Sequence, residues 1–92
     1  MKLMKTADLE VTYRQGRAIG AYYYLPRRPG QRSVRTRRFE VGLIVDYARG
    51  GRPIGVEITT PGTLSVAGFN RVLGELGFSA VRREDLAPLI VG

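Results

Sequence analysis

The chain has 92 residues and a formal net charge of +7, from 15 lysines and arginines against 8 aspartates and glutamates. This length predicts one domain with a small core, and a hydrophobic content of 43% argues against disorder. The sequence contains no cysteine and no histidine. That excludes disulfides, the usual zinc sites and catalysis by a thiol or an imidazole, so we expect no metal and no cofactor.

The N-terminal sequence does not predict a signal peptide. Lys2 and Lys5 resemble the start of one, but Asp8 and Glu10 interrupt the chain before an apolar region forms. The longest largely apolar run, residues 18–25, is far shorter than the roughly 20 residues of a membrane helix. These features predict a soluble, cytoplasmic protein without a membrane partner.

A first β-hairpin is predicted over residues 9–25, after a loose start over residues 1–8. Gln15 and Gly16 suit its turn. With that turn, side-chain alternation puts Leu9, Val11, Tyr13, Tyr22 and Tyr24 on one face and Glu10, Thr12, Arg14, Arg17 and Tyr23 on the other. The tyrosines have two interpretations: rings packed on the core with hydroxyls at the rim, or platforms for stacking on nucleic-acid bases.

Residues 26–33 contain two prolines and no periodicity, so they predict a loop. Residues 34–40 predict a third strand, and Phe39 and Val41 continue its odd-numbered apolar set. No acidic residue occurs between Arg14 and Glu40.

The central hairpin, residues 41–61, supplies strands four and five and has Gly50 and Gly51 in its turn. That turn pairs Tyr47 with Ile54, Val45 with Val56 and Leu43 with Ile58, all on one face. The other face carries Asp46, Glu57 and the apolar Ile44. A slip of one residue would invert this pattern, so the sequence specifies the register strongly.

A helix is predicted over residues 65–77, followed by a short turn over residues 84–91. Ser65 suits the N-cap and Gly77 the C-terminal left-handed cap. Val66, Phe69, Leu73 and Leu76 recur at helical spacing, with Asn70 on a flank of their face. The tail, which comprises Leu89, Ile90 and Val91, either seals the core or contacts a second copy in a homodimer.

The predicted fold class is α+β: an antiparallel β-meander of about five strands packed against one main C-terminal helix.

Two runs of the central hairpin carry a family resemblance. Residues 41–47, VGLIVDY, precede Gly51 and then residues 54–58, IGVEI. Over about residues 9–60 the chain resembles domain-of-unknown-function family 2283, which comprises small bacterial and archaeal proteins. It departs from the family pattern at Arg14, where an acidic residue is usual, and in its arginine-rich segment. The resemblance implies a small antiparallel sheet without an established activity, and an antitoxin-like role because some members look like partners of toxin-like genes.

The first candidate site is a basic segment, which comprises Arg27, Arg28, Arg32, Arg35, Arg37 and Arg38. Tyr22, Tyr23 and Tyr24 precede it and Phe39 follows. Arginines and aromatic residues on a sheet are typical of proteins that bind single-stranded nucleic acid. The same segment suits an acidic protein partner, or a charged edge that prevents strands from adding to the sheet.

The second candidate site is the pair Asp46 and Glu57, which are diagonal neighbours on one face of the central hairpin. Two such carboxylates suit acid–base catalysis or a divalent cation. The plainer interpretation pairs each carboxylate with an arginine such as Arg37 or Arg38.

The sequence therefore favours a non-catalytic binding or regulatory protein whose arginines contact nucleic acid or an acidic protein. The alternative is a small enzyme or cation-binding protein using Asp46 and Glu57.

Overall fold

The computed structural model describes residues 8–90 and the backbone of the strand Lys2–Lys5. In this part of the chain, six strands form one antiparallel sheet: β1 (Lys2–Lys5), β2 (Leu9–Arg14), β3 (Arg17–Tyr24), β4 (Arg35–Glu40), β5 (Leu43–Tyr47) and β6 (Pro53–Ile58). The helix α1 (Val66–Glu75) covers one face, and short 3₁₀ turns span Pro61–Thr63 and Arg83–Leu86. The predicted α+β fold is confirmed, whereas the loose start was wrong because Lys2–Lys5 pairs with β2.

The strand order is β1-β2-β3-β6-β5-β4. Two three-stranded meanders are therefore joined through the antiparallel pair of β3 and β6. The loop after β3 carries the chain to the far edge of the sheet, where β4 pairs with β5 alone. The arginine-rich strand is consequently an edge strand, with one side of its backbone unpaired by the sheet.

The first hairpin contains a bulge that was not predicted from the sequence. Gln15 and Gly16 have φ angles of 52° and 75°, as the predicted turn requires. The register shifts at Thr12/Tyr13, so that Leu9 faces Tyr23 rather than Tyr22. Because one extra residue exchanges the faces of a strand, the predicted tyrosine assignment was wrong. Tyr23 packs edge-on against Phe69 of the helix, with ring centroids 5.2 Å apart. Tyr22 and Tyr24 lie on the face that α1 leaves uncovered, here called the open face.

The central hairpin follows its predicted register over most of its length. Val45 pairs with Val56 and Leu43 with Ile58, and all four are buried. The turn is one residue longer than predicted, because the Ala48 N–H donates to the Arg52 carbonyl at 2.8 Å.

A register shift beside that turn changes one predicted pair. Tyr47 pairs with Pro53, not with Ile54, although Tyr47 and Ile54 are both buried as expected. Val41 is 87% exposed, which corrects its predicted place in the apolar set: the chain turns at Val41 and Gly42 between β4 and β5.

The helix has the predicted caps. The Ser65 hydroxyl accepts a bond from the Gly68 N–H at 3.0 Å, and Gly77 has a φ of 84°. The helix buries Phe69, Val72 and Leu73 against the sheet. Among the described residues, no helix is long and apolar enough to cross a membrane.

The segment after the helix closes the core. Leu86 and Leu89 are buried, and Ile90 is half-buried against the same cluster. The tail therefore seals the core as far as residue 90, and Val91 lies outside the described residues. Asn70 is more than a flank residue, because its side chain donates to the Val81 carbonyl at 3.0 Å and accepts from the Val81 N–H at 2.8 Å.

Candidate nucleic-acid interface

The fold divides the six candidate arginines into two groups. Arg27 is half-buried on the open face of the sheet, and the other five are exposed. The exposed group comprises Arg28 and Arg32 in the loop after β3 and Arg35, Arg37 and Arg38 on the edge strand β4. Five of the six predicted site residues are therefore exposed to solvent, and Arg27 is separate from them.

The Arg27 side chain is held in place by two hydrogen bonds and a cation–π contact. Its Nη2 donates to the Ile54 carbonyl at 2.7 Å and to the Tyr22 hydroxyl at 3.3 Å. Its guanidinium carbon lies 5.3 Å from the centroid of the Tyr24 ring, within the range of a cation–π interaction. These contacts hold the start of the loop on the open face, and they leave Arg27 less available to a ligand than the five exposed arginines.

The Tyr22 ring lies across β6 and links three strands. Its hydroxyl donates to Asp46 Oδ2 at 2.8 Å. The ring occupies the space where a side chain on Gly55 would stand, so a glycine is needed there. Burial, and then the hydrogen bond to Asp46, raises the pKa of Tyr22 to about 12. Tyr22 therefore remains a hydrogen-bond donor at neutral pH.

The remaining tyrosine contacts weaken the base-stacking interpretation of these rings. Tyr24 donates to Glu10 Oε1 at 3.0 Å, and its ring lies edge-on to Tyr22 with centroids 4.9 Å apart. Burial and the bond to Glu10 raise the pKa of Tyr24. Both rings of the open face are thus engaged with each other and with Arg27.

Two arginines of β4 stack on aromatic rings and still face solvent. The guanidinium carbon of Arg35 lies 4.8 Å from the Tyr47 ring centroid, and that of Arg37 lies 4.8 Å from the Phe39 centroid. Both side chains are exposed. Stacking orients a guanidinium plane without using its N–H donors, so the donors of both residues are available to phosphate or carboxylate.

Two further arginines, which were not predicted from the sequence, join the exposed group. Arg49 and Arg52 are exposed in the turn between β5 and β6, and Arg52 Nη2 donates to the Pro26 carbonyl at 3.4 Å. The turn meets the loop only because β6 pairs with β3. We call the resulting set the arginine surface: Arg28, Arg32, Arg35, Arg37, Arg38, Arg49 and Arg52. None of these residues forms an ion pair with a carboxylate in the described part of the chain.

The carboxylates of the second candidate site lie as predicted, but with different partners. Asp46 faces Gly55 and Glu57 faces Ile44, on neighbouring strands. Neither forms the expected ion pair with Arg37 or Arg38: Asp46 binds Tyr22, and Glu57 is exposed. Among the described residues, no three acidic side chains gather to hold a metal ion.

Comparison with protein-family models, with curated proteins and with solved structures found no match for this chain. The resemblance to family 2283 therefore stays a prediction.

Proposed function

We propose that this chain is a non-catalytic binding protein that holds a single-stranded nucleic acid along the arginine surface. The observation that carries the proposal is the lack of any ion pair at these seven exposed arginines, Arg28, Arg32, Arg35, Arg37, Arg38, Arg49 and Arg52, in the described residues. Arginine forms bidentate contacts with phosphate, so such a surface favours a polyanion.

The distribution of the arginines favours a flexible strand over a duplex. Arg35 stacks on Tyr47 of β5 and Arg37 on Phe39 of β4. Arg38 pairs with Ile44 and lies on the other face of the sheet. A flexible single strand can follow an edge whose two sides are both basic. Duplex reading usually needs a helix or ribbon in the major groove, and none of the seven arginines lies on α1.

Binding to a short labelled oligonucleotide, measured by fluorescence anisotropy at about 50 and 200 mM salt, tests this proposal. Four or five phosphate contacts on a single strand imply a log–log slope of about −3. The double variant Arg35→Glu/Arg37→Glu should lose binding and keep its melting temperature, because exposed charges contribute little to folding.

A matched control changes the net charge equally at the opposite end of the sheet. Arg14→Glu/Arg17→Glu reverses two exposed arginines that flank the turn of the first hairpin. This variant should bind much more tightly than Arg35→Glu/Arg37→Glu. Equal losses would mean that only net charge matters. Absence of binding at low salt, with salt-insensitive binding to an acidic protein, would overturn the nucleic-acid proposal. An antitoxin-like role is one biological function that would fit the binding of either a nucleic acid or an acidic protein.

A further inference from the structure

An apolar groove lies beside the arginine surface, where β3 and α1 both end. Its volume is about 560 Å³, within the roughly 300–1,000 Å³ of ligand pockets. Its walls are mainly apolar and aromatic, from Tyr23, Pro26, Leu73 and Phe78, and its polar groups include Asp8 and Ser79. The groove shares no residue with the arginine surface, so the proposed function leaves it unexplained.

The groove and the arginine surface meet at Pro26. Pro26 lines the groove, and its carbonyl accepts the hydrogen bond from Arg52. Arg28 follows two residues later and is exposed. A chain of phosphates bound at Arg28 and Arg52 would therefore run close to Pro26, at one side of the groove. An occupant attached to that chain would meet mainly apolar and aromatic walls with a few polar groups beside them, and an unstacked base suits such a lining.

Asp8 gives the groove a chemical preference. Its side chain is exposed, and Asp8 lines the groove together with Tyr23, so the carboxylate is within reach of an occupant. An ionised carboxylate only accepts hydrogen bonds. It repels phosphate and suits an amino group. The amino groups of cytosine and adenine stand beside a ring nitrogen acceptor, which suits a hydroxyl donor such as that of Ser79, another residue of the groove wall. The single N–H of thymine on that edge stands between two carbonyl oxygens, which a carboxylate repels.

We propose that this groove takes one unstacked base of the bound strand and that Asp8 selects cytosine and adenine over thymine or uracil. The inference rests on the proposed function, since the strand must first be held by the arginine surface. Phosphate contacts supply most of the affinity, and the groove supplies the base preference.

The test compares labelled oligo-dC, oligo-dA and oligo-dT of about ten nucleotides, a length within the usual range of single-strand sites. The wild-type protein should bind oligo-dC and oligo-dA at least about fivefold more tightly than oligo-dT. Asp8→Asn should shift the preference toward oligo-dT, because a carboxamide can accept from the thymine N–H and donate to its carbonyl. The salt slope should not change.

Glu57→Gln is the matched control, because it removes one negative charge from an exposed side chain away from the groove. It should leave the ratio of the oligonucleotide affinities unchanged. Equal wild-type affinities for the three oligonucleotides, or a ratio that Asp8→Asn leaves unaltered, would overturn the base-selection proposal and leave strand binding intact. No binding of any oligonucleotide at low salt would overturn both.

Discussion

The two faces of the sheet are held by different interactions. The covered face packs apolar side chains such as Val45 and Val56 against Phe69 and Leu73 of α1. The open face is ordered by hydrogen bonds and ring contacts around Tyr22. The arginine surface differs from both: although Arg35 stacks on the core residue Tyr47, its side chains are exposed and form no ion pairs with described carboxylates. Its charges therefore remain available to a ligand. Substitutions in the three regions should differ in how much they change the free energy of unfolding and in whether they change ligand binding.

The largest effect is expected on the covered face. Leu73 is 1% exposed and packs in the core. Leu73→Ala should lower the free energy of unfolding by about 2–4 kcal/mol, because the lost apolar contacts leave a cavity. Urea denaturation followed by circular dichroism measures this change. A loss below about 1 kcal/mol would mean that the helix does not dock through this residue.

On the open face, Gly55→Ala should cost about 1–3 kcal/mol. The new methyl group would overlap the Tyr22 ring, which must then move away from Asp46. Gly74→Ala is the matched control, because Gly74 lies in α1 with open space around it. That variant should gain about 1 kcal/mol from helix propensity. Changes of the same sign in the two urea midpoints would contradict the close contact at Gly55.

Asn70→Ala should cost about 1–3 kcal/mol, since it leaves both backbone groups of Val81 without their side-chain partner. Asn70→Asp tests the two bonds separately, because it keeps an acceptor for the Val81 N–H and removes the donor to the carbonyl. Its urea midpoint should fall between those of the wild type and Asn70→Ala. A wild-type midpoint for Asn70→Ala would show that these bonds do not hold the C-terminal segment.

The Tyr22 hydroxyl should make stability depend on alkaline pH. Its pKa is raised from 10.0 to about 12 in the folded protein. The folded state therefore favours the protonated phenol, and this contribution is complete below pH 10 and lost as the pH rises toward about 12. Tyr22→Phe should cost about 1 kcal/mol at neutral pH and reduce the fall in melting temperature over that range. An unchanged alkaline profile would rule out Tyr22 as the responsible group.

The smallest effect on stability is expected at the arginine surface. Arg35→Ala should change the free energy of unfolding by about 0.5 kcal/mol or less, as is usual for exposed residues, and should weaken oligonucleotide binding. Arg27→Ala should show the reverse, costing about 1–2 kcal/mol with little change in affinity, because it removes the bonds to Ile54 and Tyr22. Similar stability losses in the denaturation curves of Arg35→Ala and Arg27→Ala would contradict the distinction between an exposed arginine and one held by hydrogen bonds.

Local patterns predicted the elements well. Alternation and turn chemistry identified the central hairpin, and the cap residues Ser65 and Gly77 bounded the helix as observed. The first hairpin shows where such patterns end. The bulge beside Tyr13 changes the faces of Tyr22 and Tyr23, because a bulge depends on how two strands pair and fit the core as well as on the residues of one strand.

The candidate site was predictable in its residue types and only partly in its membership. An arginine-rich segment was evident, but the sequence did not separate Arg27 from its neighbours or add Arg49 and Arg52. Arg27 is set apart by its hydrogen bond to the Ile54 carbonyl. Arg49 and Arg52 are added because the turn between β5 and β6 contacts the loop after β3, through the bond from Arg52 to the Pro26 carbonyl. Both contacts join residues more than 20 positions apart.

The sequence by itself determined the α+β composition, most of the central register and the excess of arginine, because each depends on the order of neighbouring residues and on charge. Only the tertiary structure decided which face each tyrosine occupies, which arginines stay exposed and where the apolar groove opens. The pairing of β3 with β6 decided much of this, since it leaves β4 at the edge and brings the turn beside the loop. Long-range strand pairing is selected by the packing of the whole core, which no local pattern contains.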